Sequence, residues 1–139
     1  MPPNNCVQTV LVVDDSPEYL EILEPVLSEE FRLVVAKSGK TALEMVESDP
    51  PDLILLDIIM PEMNGYEVCR RLKEKKATQE IPIIFLTAMS GMNDECKGLK
   101  LGAIDYISKP FDLDLVTQRV RNHLALRKHN RTFKIIKPS

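Results

Sequence analysis

Two adjacent aspartates, Asp14 and Asp15, follow directly on the apolar run Val10–Val13. Like charges side by side repel, and neither favours a strand, so the pair asks for a physical reason. Asp57 likewise follows four apolar residues, Leu53–Leu56. Thr87 closes the run Ile83–Leu86, and Lys109 lies just beyond Tyr106–Ile107. Each has an ordinary reading alone: Asp, Ser and Pro open turns, Thr ends strands, and Lys is solvated. Gathered in one place they would be a different object. Crowded carboxylates are costly unless a cation neutralises them. Oxygen donors without clustered His or Cys suit a hard cation that keeps waters, and Mg²⁺ fits best. A cation, a lysine and a hydroxyl around a free carboxylate can stabilise in-line transfer of a phosphoryl group to that carboxylate.

Gathering them is a matter of fold. The runs Val10–Val13, Leu33–Ala36, Leu53–Leu56, Ile83–Leu86 and Tyr106–Ile107 are short and rich in Val, Ile and Leu. They read as strands covered on both faces, as parallel strands are. Amphipathic stretches separate them. In "SPEYLEILEPVL", Ser16 is the expected N-cap and Pro17 the first helical residue, with Leu20, Leu23 and Leu27 inward. Pro25 falls inside that pattern, which predicts a kink, or a break near Glu24. "SGKTALEMVES" turns Ala42, Leu43 and Val46 inward, and "NGYEVCRRLKEKKA" is capped by Asn64 with Val68 and Leu72 as core. "GMNDECKGLKLGA" is a weaker helix, interrupted by Gly98. "DLDLVTQRVRNHLALRKHN" is a long last helix capped by Asp112, with Leu113, Val116, Val120 and Leu124 inward. Alternating strands and helices predict a parallel sheet with helices on both faces. Ligands of such sheets bind beyond the carboxyl ends of the strands, where all the residues above fall.

Composition agrees. A chain of 139 residues, 44% apolar, suits one domain with one core. A net charge of −3 gives no global basic field, so direct nucleic-acid binding is not expected. No apolar run would span a bilayer. "MPPNNCVQ" lacks the basic-then-apolar order of a secretory signal. The three cysteines, Cys6, Cys69 and Cys96, show no paired spacing, as in a reduced cytoplasmic protein.

The segments "VVDDS", "LILLDIIMPEMNGYEV", "IIFLTA" and "GAIDYISKPF" resemble, in order and spacing, the landmark segments of receiver domains of two-component response regulators. The resemblance covers residues 8–126, leaving 1–7 as an N-terminal extension and 127–139 as a basic tail or the start of a linker to an absent output domain. It implies an α/β flavodoxin-like (βα)5 three-layer sandwich with strand order 2-1-3-4-5. It also implies a cytoplasmic signalling switch, phosphorylated by a sensor histidine kinase or histidine phosphotransfer protein, that controls a partner or output domain. Its chemistry would be confined to its own phosphorylation and dephosphorylation. By the same resemblance Asp57 is the phosphoacceptor and Asp15 a direct Mg²⁺ ligand, with Asp57 and the Ile59 carbonyl beside it. Asp14 acts mainly through water. Thr87 bonds the phosphoryl group, Lys109 pairs with it, and Gly65 closes the loop after the acceptor. Tyr106 is the switch aromatic, expected to turn from exposed to buried as Thr87 is drawn inward. The fourth helix, fifth strand and fifth helix, around Lys97, Asp105 and Arg119, form the surface that changes and a candidate homodimer face. Ile104 departs from the pattern, standing where many transcription-factor receivers carry an acid. Ile59 and Met89 flank the path of a hydrolytic water, which predicts slow self-dephosphorylation.

A haloacid-dehalogenase-like phosphatase shares the Asp, Mg²⁺, Thr and Lys set but needs a D-x-D motif after its first strand, which is absent here. A flavin or nucleotide binder of this fold needs a Gly- or Ser/Thr-rich phosphate loop where "DDSPEYL" stands. A degenerate receiver would lack acidic or basic site residues, and none is missing. The tail "RKHNRTFKIIKPS" reads as a partner or nucleic-acid contact, or as the solvated end of a last helix whose dipole suits cations.

Overall fold

A computed structural model describes residues 7–88 and 91–136, from residue 128 onward by the backbone alone. The strands β1 (Thr9–Val13), β2 (Arg32–Ala36), β3 (Leu53–Leu56), β4 (Ile83–Thr87) and β5 (Asp105–Ser108) are all parallel, in the order β2-β1-β3-β4-β5. This is the expected flavodoxin-like topology, with α1 (Pro17–Leu27), α2 (Gly39–Ser48), α3 (Gly65–Glu74), α4 (Met92–Lys100) and α5 (Leu113–Ile136) as crossovers and closing helix.

Alternation along each strand divides the core in two. Val10, Val12, Leu53, Leu55, Ile84, Leu86 and Ile107 meet Leu23 and Leu27 of α1 and Val116, Val120 and Leu124 of α5. Leu11, Val13, Ile54, Leu56, Ile83 and Phe85 meet Ala42 and Val46 of α2 and Val68, Cys69 and Leu72 of α3. Each fully buried Leu or Ile contributes about 2 kcal/mol of hydrophobic transfer energy, which pins strand register, because a one-residue slip would exchange the two faces.

Two expectations are corrected. α1 is not broken near Glu24; it runs through Pro25 to Leu27, and the Ser28 N–H still bonds the Glu24 carbonyl at 3.0 Å. Pro25 has no N–H to return to the Glu21 carbonyl, so α1 continues past it without that one bond. α4 is not interrupted at Gly98, which is buried inside it. A Cβ there would lie 2.8 Å from Phe85 Cδ2 and 3.3 Å from Tyr106 Cδ2, so the glycine lets α4 approach the sheet closely.

Asn64 caps α3 as expected, accepting from the Glu67 N–H at 3.0 Å. Asp112 accepts from the Asp114 N–H at 2.9 Å at the start of α5. The α5 backbone stays helical to Ile136, through most of the basic tail. Among the described residues no helix is long and apolar enough to cross a membrane.

Candidate acceptor site at the carboxyl rim of the sheet

Register builds the site. Val13 pairs with Leu56, so Asp14 and Asp57 follow side by side, and the Asp57 N–H bonds the Val13 carbonyl at 2.9 Å. Leu56 pairs with Phe85, which leaves Thr87 one step further along the rim. The Lys109 N–H then bonds the Thr87 carbonyl at 2.8 Å. The Lys109–Pro110 bond is cis.

Carboxylate oxygens of Asp14, Asp15 and Asp57 all lie within 4.8 Å of one another, with Asp14 and Asp57 buried and Asp15 exposed. Lys109, its side chain 5% exposed, places Nζ 2.7 Å from Asp14 Oδ2 and 3.4 Å from Asp57 Oδ2. It is therefore closer to Asp14 than to the expected acceptor. The buried Thr87 hydroxyl bonds the Asp57 carboxylate, and the Ile59 N–H donates to Asp57 Oδ1 at 3.3 Å. Asp14 Oδ1 accepts from the Ser16 N–H at 2.9 Å, which starts α1 without a hydroxyl cap from Ser16 itself.

Asp57 is only 6% exposed, and this burial pushes its carboxyl above the usual range. Lys109 pulls the other way, Asp14 adds to the rise, and the bonds from Thr87 and Ile59 do not cancel it. A carboxylate held reluctantly charged beside other oxygen donors suits a hard cation. The exposed Asp15 leaves a solvent side where such an ion could keep waters.

Gly65 touches the acceptor's own backbone: its N–H bonds the Ile58 carbonyl at 2.8 Å, and an added Cβ would sit 2.2 Å from the Asp57 carbonyl oxygen. Ile59, one half of the expected apolar shield over the water path, is 54% exposed, and Met89, the other half, lies outside the described residues.

Tyr106, the expected switch aromatic, lies inward. Its ring is buried, 9% exposed, against Phe85 with centroids 6.0 Å apart. Its hydroxyl donates to Tyr66, whose own hydroxyl donates to the Asp94 carbonyl at 3.2 Å. Burial pushes the Tyr106 phenol well up. Gly98 leaves room for this inward pose, and Tyr66 takes the hydroxyl. Lys97 Nζ lies 4.6 Å over the Tyr66 ring. Asp105 and Arg119 pair within the chain, Nη1 to Oδ1 at 2.7 Å, and His123 Nε2 lies 3.0 Å from Asp105 Oδ2. Burial pushes the Asp105 carboxyl up, but the bonds from Arg119, His123 and the Tyr106 N–H outweigh it and hold it below the usual range. Tyr66, His123 and Tyr19, whose ring faces Lys109, were not legible as site residues from the sequence.

A doubly covered parallel sheet with three carboxylates, a lysine and a threonine at its carboxyl rim defines an α/β domain with a polar rim site. The chain belongs to the response regulator receiver domain family, whose model matches residues 10–121. It is 47% identical over 116 residues to a Vibrio cholerae protein named "Probable cyclic di-GMP phosphodiesterase", covering 84% of this chain and 26% of that protein. It is 44% identical over 114 residues to the response regulator PleD of Caulobacter vibrioides, covering 81% of this chain and 25% of PleD. The chain thus spans about a quarter of the length of these curated relatives. Among solved structures, it resembles the receiver domain of a signal transduction histidine kinase from Syntrophus aciditrophicus, with a TM-score of 0.79 at 35% identity over 86% of this chain and 91% of that one.

Proposed function

We propose that this chain is a phosphorylation-controlled switch of a two-component system, acting in the cytoplasm, with Asp57 as its phosphoacceptor. The observation that carries this reading is one buried carboxylate, at the end of β3, beside a lysine, a threonine and two further carboxylates. In the transfer, an Asp57 oxygen forms a bond to phosphorus while the bond from phosphorus to the donor's histidine nitrogen breaks. The electron pair leaves on that nitrogen, and the product is an acyl phosphate. Thr87 donates to a phosphoryl oxygen, and Lys109 turns part of its charge from Asp14 to the others. Asp15, Asp57 and the Ile59 carbonyl, with Asp14 acting mainly through water, would hold Mg²⁺, which would supply charge neutralisation for the transferring group. The donor is a sensor histidine kinase or a histidine phosphotransfer protein, and the output is a partner or a further domain.

The new phosphoryl group draws on Thr87, and α4, β5 and α5 are the elements that answer. The response is a population shift between two packings of Tyr106, the inward one held by the Tyr106–Tyr66–Asp94 chain. A homodimer through the same face would exchange the internal Asp105–Arg119 pair for one between chains. The test uses acetyl phosphate and Mg²⁺. Intact mass should rise by one phosphoryl group, and amide shifts on adding beryllofluoride should reach α4, β5 and α5 around Lys97, Asp105 and Arg119. A response confined to the residues next to Asp57 would count against the switch.

Asp15→Ala should weaken Mg²⁺ binding at least about tenfold by calorimetry, since it removes one carboxylate donor from a loosely held hard ion. Removing a like charge should also leave the metal-free protein no less stable. An unchanged affinity would take Asp15 out of the site.

A further inference from the structure

The Lys109 ammonium has two anionic neighbours, Asp14 Oδ2 at 2.7 Å and Asp57 Oδ2 at 3.4 Å. Another neighbour is neutral. The Tyr19 ring presents its face to Nζ, 3.9 Å from the centroid, where an aromatic quadrupole attracts a cation. Tyr19 is itself held in place. Its ring packs on Phe111, centroids 5.6 Å apart, and Phe111 lies two residues beyond Lys109. α1 therefore clamps the Lys109–Phe111 segment against the rim. Because the Lys109 side chain is 5% exposed, this contact is made largely out of water, where cation–π attraction is strongest.

We propose that Tyr19 is a positioning residue that holds Lys109 for phosphoryl transfer, an inference that rests on Asp57 being the acceptor. Asp14 is the nearer anion and competes with an incoming phosphoryl group for the ammonium. A neutral ring face retains the cation without binding it as an opposing charge would. Nζ is thus kept at the rim yet free to turn toward phosphoryl oxygens as charge develops on them. With an aliphatic side chain at this position, Lys109 would lose its neutral neighbour and be held at the rim by its carboxylate partners alone. Tyr19 itself exchanges no proton and forms no bond.

The experiment follows uptake of the phosphoryl group from acetyl phosphate with Mg²⁺ by intact mass, in the full chain. Tyr19→Phe keeps the ring face and should match the wild-type rate. Tyr19→Leu should be about tenfold slower, the scale of one desolvated cation–π contact. In a Lys109→Met background, followed over longer incubation, Tyr19→Leu should cause no further slowing. Tyr19→Met, which keeps bulk without a ring, replaces Tyr19→Leu if the latter does not fold by circular dichroism.

An unchanged rate in the folded aliphatic variant overturns the proposal. So does an equal loss in Tyr19→Phe, which would assign the effect to the hydroxyl, or an equal loss without Lys109, which would assign it to packing. If the wild type takes up no label, or labels elsewhere than Asp57, the acceptor reading falls and this inference falls with it. A labelled Asp57 with an indifferent Tyr19 sinks the inference alone.

Discussion

Asp57→Asn should abolish phosphoryl uptake from acetyl phosphate and, in metal-free buffer at pH 7, make the protein more stable. The first effect is loss of the nucleophile, since a neutral amide cannot form the acyl phosphate. The second follows from burial. Desolvation raises the Asp57 carboxyl in the fold, and Lys109, Thr87 and the Ile59 N–H do not restore it. A group with a raised folded pKa binds its proton more tightly in the folded state. Its favourable contribution is fully present below the unfolded carboxylate pKa and is lost as pH rises through the folded one. At neutral pH the charge is therefore a cost. Asparagine removes that cost at nearly the same shape, and Lys109 keeps its shorter bond to Asp14 at 2.7 Å.

The expected gain is about 1 kcal/mol, the size of a typical single stabilising substitution, or about 4 °C in Tm for a chain of this length. The Tm gap between variant and wild type, measured in EDTA, should widen from acid to neutral pH. Excess Mg²⁺ should narrow it again by binding the wild type. Persistent label in the variant would move the acceptor elsewhere. A gap at pH 7 that is absent or reversed would mean that the buried charge is well compensated.

The same residues mark what was legible in the sequence. Asp14, Asp57, Thr87 and Lys109 could be placed because each abuts an apolar run or, for Lys109, lies just beyond one, and in a parallel sheet the ends of such runs share a rim. Gly98 was misread because propensity sees a helix breaker, whereas Phe85 and Tyr106, distant in sequence, make its missing side chain a packing requirement. Of the kink or break offered at Pro25, the break did not form, and α1 continues two residues past it. The inward pose of Tyr106 depends on a hydroxyl partner, Tyr66, that lies 40 positions away in the chain. The contact of Tyr19 with Lys109 crosses from α1 to the end of β5, and periodicity carries no trace of it. Strand ends are one-dimensional features. Side-chain partners across the sheet are not.

Gly65→Ala should be the most damaging of the glycine replacements, for stability and for phosphoryl transfer together. An ideal Cβ there would lie 2.2 Å from the Asp57 carbonyl oxygen and 2.9 Å from both the Asp57 carbonyl carbon and Ile58 Cα. All three are backbone atoms, so no rotamer change relieves the overlap. Nor can the acceptor easily give way, since the Asp57 N–H is tied into the sheet by its 2.9 Å bond to Val13. The loop must instead swing outward, stretching the 2.8 Å bond from Gly65 to Ile58 and moving the start of α3. Overpacking against fixed backbone of this kind costs about 3 kcal/mol, or about 12 °C in Tm. A shift near 1 Å in the segment that carries the acceptor should slow uptake about a hundredfold, as misplacement of a reacting group does. Gly91→Ala is the control. Among the described residues its Cβ would meet only the flexible Asp94 carboxylate, 3.2 Å away, and the backbone φ of −72° suits any residue. As Gly91 is the N-cap of α4, where alanine is the poorer residue, that variant should stay within about 1 kcal/mol of wild type. Equal stability and equal labelling in the two variants would show that the loop after Asp57 yields without cost, and that the close approach of Gly65 does not hold the acceptor in place.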